Sequence, residues 1–171
     1  SIPTYKLISD SFINWRGMSE SQGRRIKRSL LIKIDSIHFM EDKALKDLEK
    51  IERIKSFLQA RKTEIEAHNK NGDIDKSMLI NGRNLTNLGL FRHYAEAYLE
   101  EHPMVNSNMT IMCRQLSPTS QGIPLEVYAF CSDKNWKNYE HISADIFDHL
   151  LASTQYFGLV CFELSPQTPI R

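Results

Sequence analysis

Ile111-Met112-Cys113-Arg114-Gln115-Leu116-Ser117-Pro118-Thr119-Ser120-Gln121-Gly122-Ile123-Pro124-Leu125-Glu126-Val127-Tyr128-Ala129-Phe130-Cys131 reads as an antiparallel hairpin. Met109 to Leu116 and Ile123 to Cys131 have strand character, and the short Pro- and Gly-containing link between them turns the chain back on itself. Upstream, residues 86–102 predict a helix with Leu88, Phe91, Ala95 and Leu99 on one face, Tyr94 and Tyr98 beside them, and Pro103 as its stop. From Glu41 to about Ala67, Leu45, Leu48, Ile51, Ile54 and Leu58 recur every three or four residues, a single helical stripe. Charges at i,i+4 (Asp42 with Lys46, Glu49 with Arg53) support it, and Asn69-Lys70-Asn71-Gly72-Asp73 is expected to end it. Before that, residues 24–39 alternate: Ile26, Arg28, Leu30, Ile32 and Ile34 lie on one side of a strand, with Lys27, Ser29, Leu31 and Lys33 on the other.

Downstream of the hairpin, residues 135–156 predict a third helix with Trp136, Tyr139, Ile142, Ile146 and Leu150 on its buried stripe. Gly158 is its expected cap, Leu159 to Leu164 the last strand, and Pro166 and Pro169 mark a tail. Residues 1–15 read as extended and Arg16 to Gly23 as a loop. The fold class is therefore α+β: a strand-helix-strand-strand-helix-strand order with one added helix, the split-βαβ or ferredoxin-like layout.

Composition bounds the function. With 171 residues, 41% hydrophobic and 25% charged, the chain builds a real core and is not disordered. A formal charge of +1, from 22 Lys+Arg against 21 Asp+Glu, gives no global attraction to nucleic acid or anionic membrane. Apolar runs such as Phe157 to Phe162 fall far short of the roughly 18–20 residues of a bilayer-spanning helix. Cys113, Cys131 and Cys161 are odd in number, lack CxxC spacing and sit in apolar runs, as buried thiols of a reducing compartment do. The opening Ser1-Ile2-Pro3-Thr4-Tyr5-Lys6 has neither an initiator Met nor a signal-peptide pattern, and reads as part of a longer protein.

Arg24, Arg25, Lys27 and Arg28 form the sharpest charge cluster. A nucleic-acid patch needs stacking aromatics and further positive surface. A solvated strand edge needs neither, and an ion vestibule uses such charge to bias which ions gather. His141, Asp145, Asp148 and His149 share the third helix; i,i+4 pairs could hold a metal, but most face a wet surface, and no metal site is assigned. No GxGxxG, P-loop, GxSxG or HExxH motif is present, so no catalytic residue and no cofactor is assigned.

Ile2-Pro3-Thr4-Tyr5-Lys6-Leu7-Ile8-Ser9 followed by Ile13-Asn14 resembles the cytoplasmic β domain of mechanosensitive channels of the MscS family, with Thr4 where that strand usually carries Asn. Asn14 to Arg28 (NWRGMSESQGRRIKR), Asn84 to Arg92, Arg114 to Thr119, Gly122 to Tyr128 and Ala144 to Ala152 are similar to the miniconductance (YbdG-type) branch. The likeness spans essentially the whole chain. It implies a membrane-proximal β domain ending within residues 1–38, and an α/β domain over 39–171 with an insertion at about 63–105. It also implies a non-enzymatic role as the cytosolic vestibule of a tension-gated channel on the inner membrane. The implied partners are upstream transmembrane helices, further copies of the chain in a heptamer, and the ions and small solutes that pass; nucleic acid is not among them. The basic cluster Arg24, Arg25, Lys27 and Arg28 is then a candidate vestibule lining. Two rivals remain: a ferredoxin-like regulatory module that binds a small ligand or partner protein, and a hydrolase using His141 and Asp145.

Overall fold

The computed structural model describes residues 23–164; the expected extended segment 1–15, the loop before Gly23 and the Pro166/Pro169 tail lie outside them. In chain order the elements are β1 (Arg24–Ile32), α1 (Asp42–Leu48), α2 (Glu52–Asn71), α3 (Asn87–Glu101), β2 (Met112–Gln115), β3 (Ile123–Cys131) and α4 (Trp136–Ser153), with short 3-10 turns at Ile34–Ser36 and Thr154–Phe157. The fold is α+β, built on an antiparallel sheet of order β1-β3-β2. β1 pairs with β3 along its whole length, Arg24 opposite Cys131 through Ile32 opposite Ile123. β2 pairs with β3 from Met112 opposite Tyr128 to Gln115 opposite Leu125.

The final strand is shorter than expected. It makes a single bridge, Ile32 with Cys161, flanked by Phe162 N–H to Leu31 O and Lys33 N–H to Val160 O, each 2.8 Å. With Val160 and Leu164 exposed, little apolar surface holds the rest of it down. Its position still completes the split-βαβ order: this segment, then β1, β3 and β2.

One face of the sheet is apolar. Ile26, Leu30 and Ile32 from β1, Cys113 from β2, and Leu125, Val127, Ala129 and Cys131 from β3 are all buried. The helices cover this face: α4 packs on β1 and β3, and α3 on β2. β1, which the resemblance places within residues 1–38, pairs with β3 on one side and bridges Cys161 on the other. Leu88, Leu90, Phe91, Ala95 and Leu99 are at most 2% exposed, so the segment expected as an insertion supplies much of the core.

The long helix expected from Glu41 to Ala67 is two helices. Ile51 is extended (φ −81°, ψ 105°) between α1 and α2. At about 100° per residue, the nine steps from Leu45 to Ile54 would set them on opposite sides of one straight helix. The break lets both be buried. At the end of α2, Gly72 is not left-handed (φ −87°); Asp73 takes that conformation, at φ 46°. After α4, Gly158 does turn left-handed, at φ 66°, as expected. The hairpin turn needs its glycine: Gly122 has φ 120°, and a Cβ there would lie 2.3 Å from the Ile32 carbonyl oxygen.

Trp136, expected on the buried stripe of α4, is 69% exposed, while Tyr139, Ile146 and Leu150 are buried with Phe147 and Ser143. The Ser143 hydroxyl is buried without a hydrogen-bond partner. Ser143→Ala is therefore expected to hold or raise stability by roughly 1 kcal/mol, since it removes an unsatisfied polar group; a fall in the urea midpoint would show that the hydroxyl contributes.

Candidate functional site

The basic cluster of β1 is not one patch. Alternation along the strand divides it two and two. Arg24 and Arg28 lie on the helix side: the Arg24 guanidinium sits over the Tyr139 ring at 4.4 Å and that of Arg28 over Phe147 at 5.7 Å. Arg28 Nη2 also meets Glu140 Oε2 at 2.9 Å. Trp136 and Arg28 both donate to Glu140 and hold its carboxyl below the usual carboxylate range. Arg25 and Lys27 lie on the other side, opposite Phe130 and Tyr128 of β3. There Arg114 of β2 grips the buried Glu126 through Nε and Nη2, both 2.7 Å from Oε1, and Lys27 Nζ lies 3.9 Å from Oε2.

The acidic and imidazole groups of α4 also part company. His141, Asp145 and Asp148 are exposed, whereas His149 turns inward. Among the described residues, no three His, Cys, Asp or Glu side chains come together in a metal-binding group. Cys113 and Cys131 are buried free thiols and Cys161 is half-buried. Burial pushes the Cys113 thiol up to about 12, which leaves it unreactive near neutral pH.

His149 belongs to a second cluster, at the seam of α3 and α4. Its ring stacks on Tyr98 at 3.9 Å and 7°, and Tyr98 meets His102 edge-on at 5.7 Å. The Tyr94 hydroxyl lies 2.7 Å from His149 Nε2. Ser153 Oγ donates to the His149 carbonyl at 2.7 Å and lies 3.4 Å from the Tyr94 hydroxyl. Arg53 of α2 sits over Tyr98 at 5.4 Å and is paired with Glu101 at 2.7 Å. Burial pushes the His149 imidazole below its usual value, and the charges of Arg53 and His102 act the same way. Burial also lowers His102, opposed by Asp145, and lowers His93, opposed mainly by Glu96.

Beside this cluster opens a cavity of about 310 Å³, lined by Ile51, Ala152 and Phe157 on its apolar side and by Tyr94, His149 and Ser153 at its polar end. A larger cleft of about 840 Å³ lies between α1, α2 and the loop before α3; carboxylates and lysines alternate around it, among them Glu41, Lys62, Glu66 and Lys76. The sequence carried a partial signal for the seam. Tyr94, Tyr98 and His102 step by four along α3, as Asp145, His149 and Ser153 step along α4. Only the packing brings these two ladders face to face.

The lowered histidines set a pH dependence. A histidine whose folded pKa is depressed binds its proton more readily in the unfolded chain, so its contribution is fully present above the ordinary imidazole value of 6.5 and is lost as pH falls below it. The thermal midpoint is expected to drop between pH 7.5 and 5.5, and H102Q/H149Q to flatten that drop. The depressed carboxyls of Asp47, Glu64, Asp75 and Glu140, whose ordinary values are 3.8 for Asp and 4.5 for Glu, act only in a lower window. An equal slope in wild type and variant would remove these two histidines from the account.

No protein-family model matches the chain.

Proposed function

We propose that this chain is the cytoplasmic vestibule domain of a tension-gated mechanosensitive channel of the MscS family, miniconductance branch, which releases ions and small solutes on hypo-osmotic shock. The observation that carries the reading is the run of motifs along the chain, above all Asn14 to Arg28 and Gly122 to Tyr128. Several of the motif residues have structural work within the described residues. Thr86 caps α3 by accepting from Gly89 N–H at 3.2 Å, Asn87 is fully buried, and Gly122 makes the hairpin turn. They support a shared fold, and the channel role follows from the resemblance.

In this reading bilayer tension acts as the ligand. It favours the channel state of larger cross-section, the upstream pore helices move apart, and solutes leave through portals between copies of this domain, seven to a ring. No chemical step is assigned. Among the described residues, Arg25, Lys27 and Arg114, with the buried Glu126 as counter-charge, would give the sheet face opposite the described helices a positive potential and concentrate anions near it. Among the described residues no helix is long and apolar enough to cross a membrane, so the pore in this proposal belongs to other segments of the parent protein.

The reading frame upstream of Ile2 in the parent gene tests this cheaply. Several apolar stretches of about 20 residues, the last rich in Gly and Ala and leading into Ile2-Pro3, are the expected result. A polar upstream sequence would contradict it and favour the second reading, a ferredoxin-like regulatory module for a small ligand. The cavity beside Tyr94 and His149 is the observation that speaks for that module.

A further inference from the structure

We propose that the cavity at the seam of α3 and α4 is a binding site for a small uncharged aromatic molecule carrying one hydrogen-bond donor, of the phenol or indole class. The proposal goes beyond the channel reading and does not depend on it.

Size comes first. About 310 Å³ sits at the lower end of known ligand pockets and admits one or two fused rings. The walls come next. Ile51, Ala152 and Phe157 are apolar, and the Phe157 ring is 5.4 Å from Tyr94 and 5.4 Å from Phe91. A flat occupant extends this aromatic cluster, and such contacts add to the area they bury. The exposed Tyr156 forms the lip.

The polar end selects the head group. The Tyr94 hydroxyl lies 2.7 Å from His149 Nε2, and the Ser153 hydroxyl donates its proton to the His149 carbonyl at 2.7 Å. What the Ser153 hydroxyl still offers is oxygen lone pairs, so the occupant meets it by donating. Charge is excluded on both sides. Arg53, which also lies against the Tyr94 phenol, is matched by Glu101 at 2.7 Å and leaves no free cation for a carboxylate. Neither Asp nor Glu lines the cavity to hold an ammonium group.

The test uses the chain itself with four probes: indole, phenol, toluene and benzoate, followed by thermal midpoint and by titration calorimetry. Indole and phenol are expected to raise the midpoint saturably, with toluene, which lacks the donor, and benzoate, which is charged, at least tenfold weaker. Ala152 is on the exposed side of α4, so Ala152→Trp should fold and block the cavity, abolishing the indole shift. Ser153→Ala keeps the volume and removes one acceptor; it should weaken indole while leaving toluene unchanged. The proposal is overturned by the absence of a saturable shift with indole and phenol up to millimolar concentration. It is also overturned by an undiminished indole shift in folded Ala152→Trp, or by toluene binding as well as phenol does.

Discussion

Asn87→Ala is expected to lose about 3–4 kcal/mol of folding stability, a large part of what a domain of this size has in total. Asn87 is 0% exposed at the start of α3, and its amide ties three separate segments together. Nδ2 donates to the Ser36 carbonyl at 2.8 Å and to the Phe157 carbonyl at 3.1 Å. Oδ1 accepts from His38 N–H at 3.0 Å and Leu88 N–H at 2.9 Å. Alanine leaves backbone donors and acceptors without partners in a site from which water is excluded, where each costs far more than a surface hydrogen bond gains. Asn87→Asp should do no better at neutral pH, because it faces a carboxylate toward two carbonyl oxygens. Urea denaturation measures both. A loss under 1 kcal/mol for Asn87→Ala would mean that the β1–α1 connection and the turn after α4 are held by other contacts.

Phe91→Ala comes next, at about 3–5 kcal/mol, the range for truncating a buried aromatic. Phe91 is 0% exposed, edge-on to Phe157 at 5.4 Å and stacked near Tyr94 at 6.4 Å. The manner of the loss matters as much as its size. If α3 shares the core with the sheet, destabilisation by Phe91→Ala must reach β3 as well. Hydrogen exchange in the variant should then show amides of α3 and β3 losing protection by similar free energies. Loss confined to α3 would make that helix an attachment, and the sheet would stand without it.

Much of the fold was legible because burial follows periodicity. Ile26, Leu30 and Ile32 alternate and are buried; Leu88, Phe91, Ala95 and Leu99 follow the helical period and are buried. The hairpin announced itself through Pro118 and Gly122. The break before α2 was legible too, but only to someone who followed the phase of the stripe: three successive steps of three, from Leu45 to Ile54, cannot stay on one face of a straight helix. Trp136 misled because an aromatic in phase with a stripe is buried only if something lies above it, and Trp136, in the first turn of α4, is exposed with its indole N–H on Glu140. In the last strand Val160 and Leu164 are likewise exposed among the described residues.

The sites were harder to read. Adjacent basic residues look like one patch in a sequence, yet a strand sends neighbours to opposite faces, and the Arg24 and Arg28 side chains are occupied with α4 while those of Arg25 and Lys27 lie on the opposite face of the sheet. The Tyr94–His149 pair joins residues 55 positions apart, so no local spacing could reveal it. Residue types on each helix hinted at a polar, aromatic seam. Their meeting depends on which face of α3 turns toward α4, and that is a property of the packed core.

The most direct measurement of the central proposal is a pressure-clamp recording from membrane patches that contain the full-length parent protein, in cells stripped of their own stretch-activated channels. Tension-dependent single-channel openings, absent from patches without the protein, are the expected result. Silent patches, with the protein shown to be at the surface and tension raised to the point of rupture, would contradict the channel reading.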